Sequence, residues 1–234
     1  MEGASGSSPA AAILRNRYWI LRHGRSVPNE RGIIVSSLDN GTKPEFGLAP
    51  QGVEQARVAG ELLRKELGEM GVPVDSLKIR YSPFSRTTET ARAVAGVLGI
   101  PFEGPTCQAV VGLRERYFGP SYELLSHDKY ADVWAVDEAH PYTCPKGGES
   151  VADVASRLSS VLSATETEFH SSAVLFVSHG DPLQIFQAVL SGAKESSTFL
   201  NDVTNLKAED EMVASILSQH RKFALATGEL RQVV

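Results

Sequence analysis

Four polar clusters spread along the chain carry the residue types that could do chemistry: Arg22-His23-Gly24, Ser82 to Arg86, Leu113 to Glu115, and Ser178-His179-Gly180. Together they offer two guanidinium groups, two imidazoles and a carboxylate. That set suits phosphoryl transfer, whose transition state spreads negative charge over equatorial oxygens, so that catalysis consists of positioning and cationic stabilisation. Arg22 and Arg86 can each present a planar fork to two phosphate oxygens, and they stay charged at any relevant pH. His179 can add a further donor. A neutral imidazole whose other nitrogen keeps its proton on an acceptor can attack phosphorus directly, dividing one hard displacement into capture and hydrolysis. His23 is the candidate nucleophile. The leaving alkoxide then needs a proton, which a carboxyl group of raised pKa can donate and later recover from attacking water. Glu115 is the candidate for that role, with Asp181, Glu149 and Glu89 as alternatives.

These residues act together only if the fold collects them. Tyr18 to Leu21 is a short β-prone run ending at the first His-Gly pair, Leu77 to Tyr81 is a second, and Ala173 to Val177 is a buried run ending at the other pair. A third strand and turn are predicted near Pro101 to Gln108. Helical spacing runs from Gln51 to Met70 through Val53, Ala56, Ala59, Leu62, Leu63 and Leu67, and from beyond Pro83 to Leu98, closed by Gly99. Ser150 and Asp153 resemble a capping box opening a helix from Val151 to about Phe169, and another helix follows Pro182 to about Leu190. A helix near Glu209 to Gln219 and a last strand near Phe223 to Ala226 complete the prediction. Strands alternating with helices predict a three-layer α/β/α sandwich with a mostly parallel central sheet, in which ligands bind beyond the carboxyl ends of strands. Both His-Gly pairs fall there. The loop to about Pro50 is long and rich in Gly, Pro, Asn and Ser, and residues 113–147 form an irregular lid insert over the sheet. Residues 1–16 read as a flexible tail, leaving 17–234 as one domain.

From Tyr18 to Leu190 these motifs resemble the histidine phosphatase superfamily, also called the phosphoglycerate mutase-like family. Its opening signature is met by Arg22-His23-Gly24, Ser26 and Asn29, its Ser-Pro-x-x-Arg turn by Ser82 to Arg86 with Thr87 to Ala91 behind it, and its Leu-x-Glu segment by Leu113-Arg114-Glu115 with Phe118-Gly119. The turn from Gly147 to Ser150 and the closing Ser178 to Gly180 also agree. The resemblance implies that His23 is phosphorylated, that Arg22, Ser26, Asn29, Arg86, His179 and Gly180 contact the phosphate, and that Glu115 is the acid-base. It implies a phosphatase acting on a small phosphorylated metabolite with neither metal nor cofactor. Two alternatives stay open: a phosphoglycerate mutase using the same phosphohistidine, and a non-catalytic phospho-ligand-binding relative. The family's mutases share a Glu-Arg-x-Tyr-Gly segment, approached here by Glu115-Arg116, but carry a longer insert. The short cover here favours water access and hydrolysis.

The rest of the sequence narrows the field. Hydrophobic residues are 42% and charged residues 22%, ordinary globular usage, and a net charge of -5 disfavours nucleic acid, whose backbone calls for a basic surface. Cys107 and Cys144 show no disulfide or zinc spacing, and neither precedes Arg as a cysteine phosphatase loop requires. The tail lacks a secretory core and nothing reads as a membrane span, so the cytoplasm is expected. His127, His140, His170 and His220 read as surface or lid residues, and Arg25, Arg114 and Arg116 as solvated or at the pocket rim. Oligomeric state is open, a homodimer included.

Overall fold

The computed structural model describes residues 14–195, 199–204 and 211–234. Its five-stranded sheet has the order β3-β2-β4-β1-β5, formed by β1 (Arg17–Arg22), β2 (Leu77–Tyr81), β3 (Cys107–Ala109), β4 (Ala173–Ser178) and β5 (Leu230–Gln232). All neighbours pair in parallel except β5, which runs antiparallel along β1. Alternation along β1 divides the core in two, as strand geometry requires. Tyr18 and Ile20 join Val174 and Phe176 of β4 against α6 (Val151–Glu168), α7 (Gly180–Glu195) and α9 (Glu211–Ser218). Trp19 and Leu21 face the other way with Ile79, Leu175 and Val177, against α3 (Pro50–Glu69) and α4 (Ser85–Leu98). The predicted three-layer arrangement is what forms. Among the described residues no helix is long and apolar enough to cross a membrane.

Local chemistry sets the element ends. Pro50 opens α3 at its first position, where the missing N–H costs nothing. The predicted capping box opens α6, with Ser150 and Asp153 each accepting from the other's backbone N–H. Gly99, at φ 72°, closes α4.

Several expectations need correction. Phe223 to Ala226 is not a strand: residues His220–Phe223 form a 3-10 turn, and the strand is β5. The backbone here turns to serve the site, because Leu225 O accepts a bond from Arg22 and Gly228, at φ 73°, reverses the chain onto β1. On α3, Val53 and Leu62 are 50% and 40% exposed, since a helix flat on a sheet buries only a narrow stripe, here Ala56, Ala59, Leu63 and Leu67. The third strand is only Cys107–Ala109, because Glu103 and Gly104 sit in a turn with positive φ. The loop before Pro50 contains α1 (Val27–Arg31), α2 (Leu38–Gly41) and a 3-10 turn at Pro44–Phe46. The insert is not irregular throughout: it holds α5 (Tyr130–Ala139), resting on a small cluster of Ile34, Phe118 and Val133. Residues 1–13 of the expected tail, and the start of the helix expected from Glu209, lie outside the described residues. Asn16, placed in the tail, is buried, and its amide binds Glu166, Phe169 O and Ser172 N. The remaining α-helix among the described residues is α8 (Phe199–Thr204), which packs on α6 and α7.

Candidate active site

Strand register assembles the site. Arg22 pairs with Ser178 and Tyr81 with Val177, so the residues that follow, His23, His179 and Ser82, emerge side by side at the carboxyl edge of the sheet. His23 N–H donates to Ser178 O at 3.0 Å and Ser82 N–H to Val177 O at 3.0 Å. The turn after Ser82 starts α4 and delivers Arg86 from its first turn. Ser178 Oγ donates to Leu113 O at 2.7 Å, and Arg157 of α6 donates to Gly112 O and Glu115 O, which pins the segment bearing Glu115 above the strand ends. The loop after His23 packs against α3 without space for a side chain: a Cβ on Gly24 would fall 2.2 Å from Gly52 O, and one on Gly52 would fall 2.0 Å from Arg25 O.

The hydrogen bonds fix the state of His23. Its Nδ1 lies 2.7 Å from Gly24 O, which can only accept, so the proton sits on Nδ1 and the Nε2 lone pair is left facing Arg86 Nε, which donates to it at 3.2 Å. Burial, reinforced by the Arg86 and Arg22 charges, holds His23 well below the ordinary histidine range despite the Gly24 bond, and the ring is neutral. His179 is also held low, by burial first and then by Arg86 and His23. Its Nε2 lies 2.8 Å from Ser82 Oγ, and its Nδ1 has no hydrogen-bond partner and sits 3.7 Å from Glu115 Oε2. The two imidazoles meet edge to face, 5.2 Å between centroids. Burial pushes Glu115 up to about 7, against the pull of Arg86 and with a further push from Asp181.

A cavity of about 330 Å³ opens over these groups, walled by Arg22, His23, Ser26, Asn29, Arg86, Glu115 and Gly180 among others. Arg22 Nε and Arg86 Nη1 are buried donors without partners, free to bind an oxyanion. Gly180 lets Arg22 close in, since a Cβ there would sit 3.3 Å from its guanidinium carbon. Ser26 Oγ is spent in the reciprocal cap of α1 with Asn29, whose Oδ1 accepts from both Ser26 N and Oγ. His179 does not wall the cavity. It is fully buried and packs behind His23 and Glu115.

The alternatives to Glu115 are otherwise engaged. Glu149 binds Arg114, Arg157 and the Tyr117 N–H, and Glu89 accepts from Leu48 N–H. Asp181 belongs to a buried charge cluster that sequence reading missed. Arg116, expected at the surface or the rim, is fully buried, with a bidentate pair to Asp137 at 2.7 and 2.8 Å and a bond to Asp181 at 3.2 Å. His220, expected at the surface, is also buried, its Nε2 3.5 Å from Asp181 Oδ1. Burial alone would raise Asp181, but His220 and Arg116 beside it hold it down to about 2. Also missed were Tyr130, Trp134, Gln184 and Arg221, which wall the cavity beside the four motifs. Tyr130 and Trp134, aromatic and four apart, were the one available signal; nothing in the local sequence marks Arg221 or His220.

Comparison with known proteins agrees with this geometry. Residues 18–208 match the model of the histidine phosphatase superfamily (branch 1). The chain is similar to an acid phosphatase of Mycobacterium tuberculosis, 32% identical over 174 residues that cover 72% of each protein. It is also similar to the structure of mycobacterial glucosyl-3-phosphoglycerate phosphatase with VO3, at TM-score 0.63 and 25% identity over 92% of this chain and 90% of that one. Its likeness to that phosphatase in complex with inorganic phosphate has TM-score 0.54 and 26% identity, covering 74% and 78%. With the family model spanning most of its length and its arginines and histidines gathered at one sheet edge, this chain belongs to the histidine phosphatase superfamily, and it is a phosphatase.

Proposed function

We propose that the enzyme hydrolyses a small phosphorylated metabolite without a metal ion, through a phosphohistidine on His23. The observation that carries this reading is the fixed tautomer of His23, with Nδ1–H on Gly24 O and an available Nε2 lone pair beside Arg86. In the first step Nε2 attacks phosphorus, the ester P–O bond breaks, and Glu115 protonates the departing oxygen. In the second, ionised Glu115 takes a proton from water as its oxygen attacks phosphorus, the P–N bond breaks, and His23 recovers its lone pair. A carboxyl group near 7 can serve in both directions at neutral pH. Arg22 and Arg86 supply the positive charge that the equatorial oxygens need, Asn29 offers its amide from α1, and His179 braces His23 and Glu115 from behind.

Arg116 supports hydrolysis over return of the phosphate to substrate. Four of its five N–H bonds are engaged, by Glu149 O, Asp181 and a bidentate pair with Asp137, and its side chain is fully buried, so it is held away from a substrate. The test is release of phosphate from an aryl phosphate in excess EDTA, with acid-labile, base-stable labelling of the enzyme during turnover. His23→Ala should abolish both signals. Full hydrolysis by that variant discards the nucleophile, and loss of wild-type activity in EDTA discards metal independence.

A further inference from the structure

The cavity that His23 walls is also walled by Tyr130 and Trp134 of α5, Gln184 of α7 and Arg221 of the turn at His220–Phe223. The guanidinium carbon of Arg221 lies 3.4 Å from the Trp134 ring centroid, and Trp134 stacks on Tyr130 with centroids 5.3 Å apart and planes at 11°. The cation is therefore held in place before any ligand arrives, which reduces the entropy lost on binding. Among the described residues none forms a hydrogen bond or an ion pair with it. The carboxylates whose charge it feels, Asp181 and Asp137, are already engaged by Arg116. Two further polar atoms of this wall, Trp134 Nε1 and Gln184 Oε1, are buried and unpartnered.

A phosphate dianion is matched by Arg22 and Arg86, so the third guanidinium exceeds what the reacting group needs. We infer that Arg221, propped on Trp134, binds a carboxylate on the organic part of the substrate, so that the enzyme selects phosphomonoesters bearing a second, singly charged anion. One planar fork fits one carboxylate, two N–H bonds to two oxygens, whereas a second phosphate would bring two charges to a single cation. This selectivity rests on the hydrolytic reading above.

The experiment compares kcat/KM for 3- and 4-carboxyphenyl phosphate with their carboxamide counterparts, which match them in size and differ in charge; the carboxamide phenols are the slightly better leaving groups, so a preference for the carboxylate cannot come from leaving-group reactivity. A charge-assisted contact corresponds to roughly a tenfold to hundredfold preference, so the carboxylate should win by about that factor in at least one isomer, less at high salt. Arg221→Gln should bring the ratio near one. Lys222→Gln removes the neighbouring charge, whose ammonium contacts Gln219 outside the cavity, and should keep the wild-type ratio. A wild-type ratio near one in both isomers, a preference that survives Arg221→Gln, or one lost equally in Lys222→Gln overturns the assignment. Failure to hydrolyse any of the four esters overturns the phosphatase mechanism itself, and the two failures are distinct.

Discussion

Glu115 is 8% exposed, and burial holds its proton on to about 7 although Arg86 Nη2 lies only 3.6 Å away. Two consequences can be measured. As proton donor it matters most when the leaving group is a poor one, so Glu115→Gln should slow alkyl phosphates by a hundredfold or more and aryl phosphates far less; equal losses would indicate positioning alone. The same residue sets a stability trend. A carboxyl group whose folded pKa lies above its unfolded value contributes stability that is complete below the unfolded pKa, near 4.5, and lost as pH rises through about 7. The loss amounts to about 3 kcal/mol. The Gln variant cannot ionise, so it should resist urea better than wild type at pH 8 and about equally at pH 4. Motif reading reaches Arg22, His23, Arg86 and Glu115 because each sits in a short local pattern. The pairing of Arg116 with Asp137 and of Asp181 with His220 joins residues far apart in sequence, and no local pattern encodes it.

At the scale of elements, the site depends on how closely the loop after β1 approaches α3. A methyl group on Gly52 would strike the Arg25 carbonyl, a backbone atom that cannot rotate away, so Gly52→Ala should cost about 1–3 kcal/mol and displace the loop that orients His23. Gly68, in the same helix, has open space where a Cβ would stand, with nothing within 4 Å, and Gly68→Ala should instead stabilise by roughly 0.5–1 kcal/mol. Thermal unfolding of the pair separates contact from helix propensity; a similar shift in both would remove the steric argument. The sequence pattern placed β1, β2, β4 and the long helices because each has a mostly buried run or an apolar stripe, and it met β3 only at Cys107 and Gln108, since two of that strand's three residues are exposed. It failed at β5 because three residues, none of them buried, take strand form by pairing with the edge of β1. It failed at α5 because that helix has no clear apolar stripe and is held by Ile34 and Phe118 from other segments.

Across the molecule, the cover over the cavity is built from two distant segments joined at one carboxylate. Glu123 of the insert accepts from Ser36 N at 3.0 Å, Ser36 Oγ at 2.8 Å, Ser37 N at 3.0 Å, Ser37 Oγ at 2.8 Å and Asn40 Nδ2 at 2.9 Å. Backbone bonds beside it, Ile34 N to Leu125 O and Leu124 N to Ile34 O, extend the seam. Val35 closes the link to chemistry, since its carbonyl accepts from Arg86 Nη2 at 3.1 Å, so the strap that Glu123 holds also aims a phosphate-binding arginine. Glu123→Ala removes the acceptor and leaves five donors to water, a loss of about 1–3 kcal/mol at a partly exposed site. The loss falls on the cover, because the strands and their two cores make no use of this carboxylate. Amide exchange should therefore quicken in residues 32–37 and 122–127 while β1 and β4 keep their protection, and KM should rise severalfold as the strap loosens around Arg86. Exchange that quickens in the central strands as well would mean that the cover is part of the global folding unit, and the separation of cover from scaffold would be wrong.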